Sequence, residues 1–168
     1  MTIEPEEAGM PPILVVATDS DLCDLVWAAR AEARGSGRRR VIRVVRGAKA
    51  ETTAALFDEF AAALQFPPYF GENWPAFDEC LADLEWLPAA EHVVVVADAA
   101  RVLAREPGDS FARWLGRLGR IAAERADQGG PALRIVLHAR PDDAPALRSK
   151  LAACGGAFAE GEPGQLLP

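Results

Sequence analysis

"EHVVVVADA", residues 91–99, sets four valines in a row with no polar residue between them. Such a run suits an extended strand covered on both faces, as in a parallel sheet, whereas a half-exposed strand would alternate. Working outward, "VIRVVRG" gives a strand at about 41–46, "ILVVA" one at 13–17, and "GGPALRIVLHA" one near 133–138. The segments between them carry helical spacing. Leu22, Leu25, Val26 and Ala29 mark a helix at about 21–33, with Asp19, Ser20 or Asp21 as its cap. Ala54, Leu56, Phe57, Phe60, Ala61 and Leu64 mark a second. Phe111, Trp114, Leu115, Leu118, Ile121 and Ala122 mark another, capped by Asp109 or Ser110, and a helix at 144–154 precedes a short extended piece at 157–160. Strands that alternate with helices imply a parallel α/β sheet joined by right-handed crossovers.

The chain has 168 residues, enough for one domain with a real core or one domain with an appended unit. Half its residues are hydrophobic and 26% are charged, the balance of a folded rather than a disordered protein. Its apolar runs fall far short of the ~20 residues that a membrane helix needs, so no membrane association is expected. "MTIEPEEAGMPP" lacks a basic start and an apolar stretch and does not read as a secretory signal. Cys23, Cys80 and Cys154 are odd in number and widely spaced, which predicts reduced thiols in a cytoplasmic protein and neither a disulfide framework nor a metal site.

The net charge of −7 is unevenly spread. Residues 51–100 contain Glu51, Asp58, Glu59, Glu72, Asp78, Glu79, Asp83, Glu85, Glu91 and Asp98 and no Lys or Arg, while an arginine-rich segment lies just before them. An acidic centre disfavours direct binding of nucleic acid, whose phosphates require cations. A basic protein partner is the simpler expectation, and "RGSGRRR" reads as a solvated loop.

The densest part is "FPPYFGENWPAFDECLADLEWLP", residues 66–88. Its prolines stiffen a loop that carries Tyr69 and Phe70, and Gly71 allows a positive φ or a close backbone contact. Asn73 caps a helix expected over 74–86, with Pro75 in the first turn, where a missing N–H breaks no bond. At 100° per residue, Trp74, Phe77, Cys80, Leu81 and Leu84 face inward. Pro75, Glu79, Ala82, Asp83 and Trp86 face outward, with Asp78 at the border.

These residues resemble the barstar family of intracellular ribonuclease inhibitors. The family's Tyr-aromatic-Gly-x-Asn loop and acidic helix with a Cys-Leu pair correspond here to Tyr69, Phe70, Gly71, Glu72 and Asn73, then Ala76, Glu79, Cys80, Leu81 and Pro88. The resemblance covers about 40–139, leaving residues 1–12 as a flexible tail, 13–39 as an N-terminal βα extension of the sheet and 140–168 as a C-terminal helix, strand and tail. On this resemblance the chain is a binding protein, and the absence of catalytic motifs predicts that it is not an enzyme and needs no cofactor. Its acidic side chains would cover the active site of a basic nuclease or toxin-like protein, and a non-nuclease partner of the same fold is the alternative. Glu79 stands where the family carries its dominant aspartate, Pro75 stands where another acid usually follows, and Glu124 corresponds to a further acid late in the helix before the last strand.

No phosphate-binding glycine loop, HExxH or GxSxG is present, and His92 and His138 each sit alone in a strand, as core or edge residues do.

Overall fold

The computed structural model describes residues 13–17, 22–35, 37, 39–155 and 158–161. The expected tail at 1–12, the caps at Asp19, Ser20 and Asp21, and the last residues of the chain lie outside them. The elements run β1 (Ile13–Ala17), α1 (Leu22–Gly35), β2 (Arg40–Arg46), α2 (Thr53–Leu64), α3 (Trp74–Asp83), β3 (Glu91–Ala97), α4 (Ser110–Asp127), β4 (Ala132–Ala139), α5 (Ala144–Cys154) and β5 (Ala159–Glu160). Short 3-10 turns follow β2 and β3.

One five-stranded sheet forms in the order β2-β3-β4-β1-β5. Every pairing is parallel. β3 lies inside it, with Val94 opposite Arg43 on one side and Ile135 on the other. β1 pairs with β4, so the N-terminal strand belongs to this sheet.

The valine run behaves as its composition demands. Val94 and Val96 enter the larger core with Phe60, Trp114, Leu118 and Leu147, while Val93 and Val95 join Ile42 and Val136 on the opposite face, where Leu22 of α1 packs. All four valines are fully buried, and such burial stabilises by roughly 1.5–3 kcal/mol for each.

Two local features hold the sheet's ends. Glu91, on β3 between its two neighbours, accepts hydrogen bonds from Arg40 on β2 and Arg134 on β4, linking three strands at their starts. At the other end Gly47 lies so close to β3 that a Cβ there would meet the carbonyl oxygens of Ala97 and Asp98 at 2.5 Å.

Some helix details depart from the sequence reading. Asp109 does occupy the N-cap of α4, but its carboxylate accepts from Arg113 at 2.7 Å and bonds no helix N–H. Ala54, placed on the apolar stripe of α2, is exposed, because the core takes only Leu56, Phe57, Phe60 and Leu64.

Candidate functional site

The site is built on α3 and the segments that flank it. Asn73 fixes its start twice over: Oδ1 accepts from the Ala76 N–H at 2.9 Å, and Nδ2 donates to the Gly71 carbonyl at 3.1 Å. The cap satisfies a free N–H of the first turn, and Pro75 sits in that turn without breaking a bond. Of the two options that Gly71 allows, the positive φ falls instead on its neighbour Glu72, at 51°. At Gly71 an added Cβ would come within 3.0 Å of the Asn73 amide.

Phe77, Cys80 and Leu81 are buried, and Pro75, Glu79, Ala82 and Asp83 are exposed. The helix then stops at Asp83, because Leu84 turns into the left-handed region at φ 53°. Trp86 therefore leaves the helical period, and its expected place on the outward face is corrected. Its indole N–H donates to the Leu64 carbonyl at 2.9 Å, and its ring meets Phe66 edge-on. Phe70 likewise turns inward, against Phe57 and Phe66. Of the aromatic residues in 66–88, Tyr69 is the one left outside, at 73% exposure.

Charge pairing divides the acidic middle in two. Glu51, Glu59, Asp78, Glu91 and Asp98 are half-buried and bound to arginines. Asp58, Glu72, Glu79, Asp83 and Glu85 are exposed and form no ion pair among the described residues. Four of these five lie on α3 or beside it, so uncompensated charge collects where Tyr69 projects.

Neighbouring groups register the resulting field. The Tyr69 phenol is held above its ordinary 10.0 by desolvation and by the negative charge of neighbours that include Asp83, Glu79 and Glu85. Burial pushes the Cys80 thiol above 9.0, with Glu79 and Asp83 adding to it. An open groove of about 720 Å³ runs along the end of α3, lined by Glu79, Asp83, Glu85, Leu84, Leu87 and His92 among others.

Asp78 plays a different part. Arg117 and Arg120 of α4 share its Oδ2 at 2.5 and 2.9 Å, and its Oδ1 is buried. Its carboxylate is directed at α4 rather than outward. Arg120 also reaches Glu124 at 3.2 Å, so the exposed Glu124 joins α3 through a chain of ions. The Arg117 guanidinium lies 4.8 Å over the Trp74 ring.

Sequence reasoning missed Arg125. It is only 4% exposed and follows Leu118 and Ile121 on the buried stripe of α4, a periodicity that would have placed it. Its Nη1 donates to the carbonyls of Leu81, Ala82 and Asp83 at 3.3, 2.6 and 3.2 Å, and its Nε to that of Pro131 at 3.1 Å. Its Nη2 lies 3.0 Å from His92 Nδ1. A guanidinium has no acceptor, so Nδ1 accepts and the ring proton sits on Nε2, which donates to the Leu87 carbonyl at 2.7 Å.

With this geometry in place, the sequence comparison is decisive: the family model described as Barstar (barnase inhibitor) matches residues 40–138. The chain belongs to the barstar family. The matched span runs from β2 into β4 and contains the whole acidic face of α3; β1, α1 and α5 lie outside it. No curated protein sequence matches the chain.

Among solved structures it is similar to Cdc6p from Pyrobaculum aerophilum, at 16% identity and a TM-score of 0.55, over 89% of this chain and 38% of that one. It is similar also to the Aeropyrum pernix ORC1 protein, solved in complex with DNA, at 17% and 0.56, over 92% and 40%. A third likeness is to the A. pernix ORC2 protein, at 15% and 0.56, over 91% and 42%. The chain spans about two fifths of these proteins, and at such identity the likeness concerns the arrangement of strands and helices alone. Among the described residues no His, Cys, Asp and Glu cluster could hold a metal ion, and no helix is long and apolar enough to cross a membrane.

Proposed function

We propose that this barstar-family chain is an inhibitor, not an enzyme. It would bind over the basic active site of a ribonuclease or related nuclease toxin, with Tyr69, Glu79, Asp83 and Glu85 turned toward it. The observation that carries this reading is the division of charge: arginines of the same chain pair the half-buried acids of residues 51–100, and four of the five exposed, unpaired acids there, Glu72, Glu79, Asp83 and Glu85, lie on α3 or beside it. Carboxylates held on a capped helix can occupy the places of substrate phosphates at little cost in reorganisation, and an exposed tyrosine beside them supplies an anchor of the kind that dominates interfaces. Gly71, Asn73 and Pro75 then shape the approach to the helix, while Trp86 and Phe70 support the surface from within. Asp78 and Glu124 join that surface to α4. The partner is a protein, with no direct contact to nucleic acid.

A non-nuclease partner is favoured by one observation, that α1 lies outside the family match and exposes Trp27 at 63% beside the exposed Arg30 and Arg34. Capture from native extract separates the two readings. A basic nuclease, inhibited in a one-to-one titration of its activity, is the expected result; a partner without a basic active site would overturn it.

A further inference from the structure

We propose that Arg125 is a positioning residue for the partner-binding surface, an inference that rests on the reading of α3 as that surface. The last carbonyls of a helix have no intrahelical partner, and the helix dipole places partial negative charge there. At the end of α3 this charge adds to that of Asp83 and Glu85. The arrangement repels itself and would fray outward if left alone.

Arg125 answers it from beneath. One guanidinium, buried under the groove, gathers the carbonyls of residues 81, 82 and 83, while its other nitrogens bind the α4–β4 turn and His92. His92 in turn holds the Leu87 carbonyl, just beyond Glu85. The end of α3, the 84–87 turn, β3 and the α4–β4 turn thus share one buried cation with planar, directed donors. Lysine would retain the charge but has neither the reach nor the fork to make all five bonds. The clamp fixes where Asp83 and Glu85 point, although Arg125 itself touches no partner.

The positioning role has a kinetic signature opposite to that of a charge role. Removing a cation beneath an acidic face leaves attraction for a basic partner intact or strengthened, so association should not slow. Loss of geometry should speed dissociation instead. The test compares wild type, Arg125→Met and Arg125→Lys by amide hydrogen exchange and by binding to barnase as the probe. In both variants the amides of Leu84 and Leu87 should exchange at least 10-fold faster, with those of Val94 and Val95 unchanged. Barnase should leave Arg125→Met at least 10-fold faster, with an undiminished association rate.

Should Arg125→Met not fold, Arg125→Lys decides by the same readouts. Retained protection at Leu84 and Leu87 would overturn the clamp, as would full restoration by lysine. Unchanged dissociation alongside faster exchange would overturn its role in binding. If wild type shows no affinity for barnase, the reading of α3 as a surface for barnase itself is overturned, the dissociation comparison passes to the nuclease captured from native extract, and exchange at Leu84 and Leu87 still decides the clamp.

Discussion

Arg117 Nη1 lies 2.5 Å from Asp78 Oδ2, and this contact ties the acidic helix to the basic one. Arg120 shares the same oxygen, and together they remove Asp78 from the set of outward charges. Two neighbouring acids, Asp78 and Glu79, thus have opposite assignments. Replacement Asp78→Asn should lower folding stability by about 1 kcal/mol, the upper range for partly exposed ion pairs. Chemical denaturation measures this, and partner affinity should change far less than it does in a Glu79 variant.

A pH dependence follows from His92. Burial holds the ring below its ordinary 6.5, with the Leu87 hydrogen bond opposing and the Arg125 charge adding to the depression. The folded state therefore favours the neutral ring. Above 6.5 both states are neutral and the contribution is fully present; as pH falls below 6.5, the unfolded chain binds the proton first, and stability is lost through the folded value. Denaturation midpoints should decline over this window in wild type, and His92→Gln should flatten this part of the decline.

Gly47→Ala should destabilise the fold by about 1–3 kcal/mol, the usual range for overpacking. The added methyl would meet two backbone carbonyls of the β3 end, which cannot move aside as a flexible side chain could. A thermal melt checks this, and a midpoint equal to wild type would contradict it.

The exposed carboxylates also predict electrostatic steering. The association rate with a basic nuclease should fall steeply between low and high salt, because the Debye length shrinks from ~10 Å at 0.1 M to ~3 Å at 1 M. Stopped-flow mixing at several ionic strengths measures the slope, and a flat response would count against an acidic interface.

Much of this was legible in the sequence, for physical reasons that also mark where reading stopped. The valines of β3 had no polar alternation, so burial on both faces followed, and Asn73-x-Pro75 announced the start of α3. Its end was not announced. Leu84 adopts a left-handed conformation usually taken by glycine, and nothing in "DLEWLP" signals it, so the helical period of the sequence extends three residues past the end of α3 and would turn Trp86 outward. The division of the acids was equally hidden, since the arginines that neutralise Asp78 come from α4, 39 and 42 residues away along the chain. Arg125 was legible by its period, but arginine is rarely sought on a buried stripe.

The central claim is that Glu79 lies at the energetic centre of a surface made for a basic nuclease. It is exposed, lines the groove beside Asp83, and precedes the Cys80-Leu81 pair that the family motif contains. The most direct test is the affinity of Glu79→Ala for the nuclease captured from native extract, measured with the folding stability of the same variant. Binding should weaken by about 2–5 kcal/mol, the range for truncating a buried interfacial charge, in which barnase and barstar are themselves a measured case. Folding stability should stay within about 0.5 kcal/mol of wild type, as for a surface substitution. Wild-type affinity in Glu79→Ala would contradict the account and place the binding surface elsewhere on the fold.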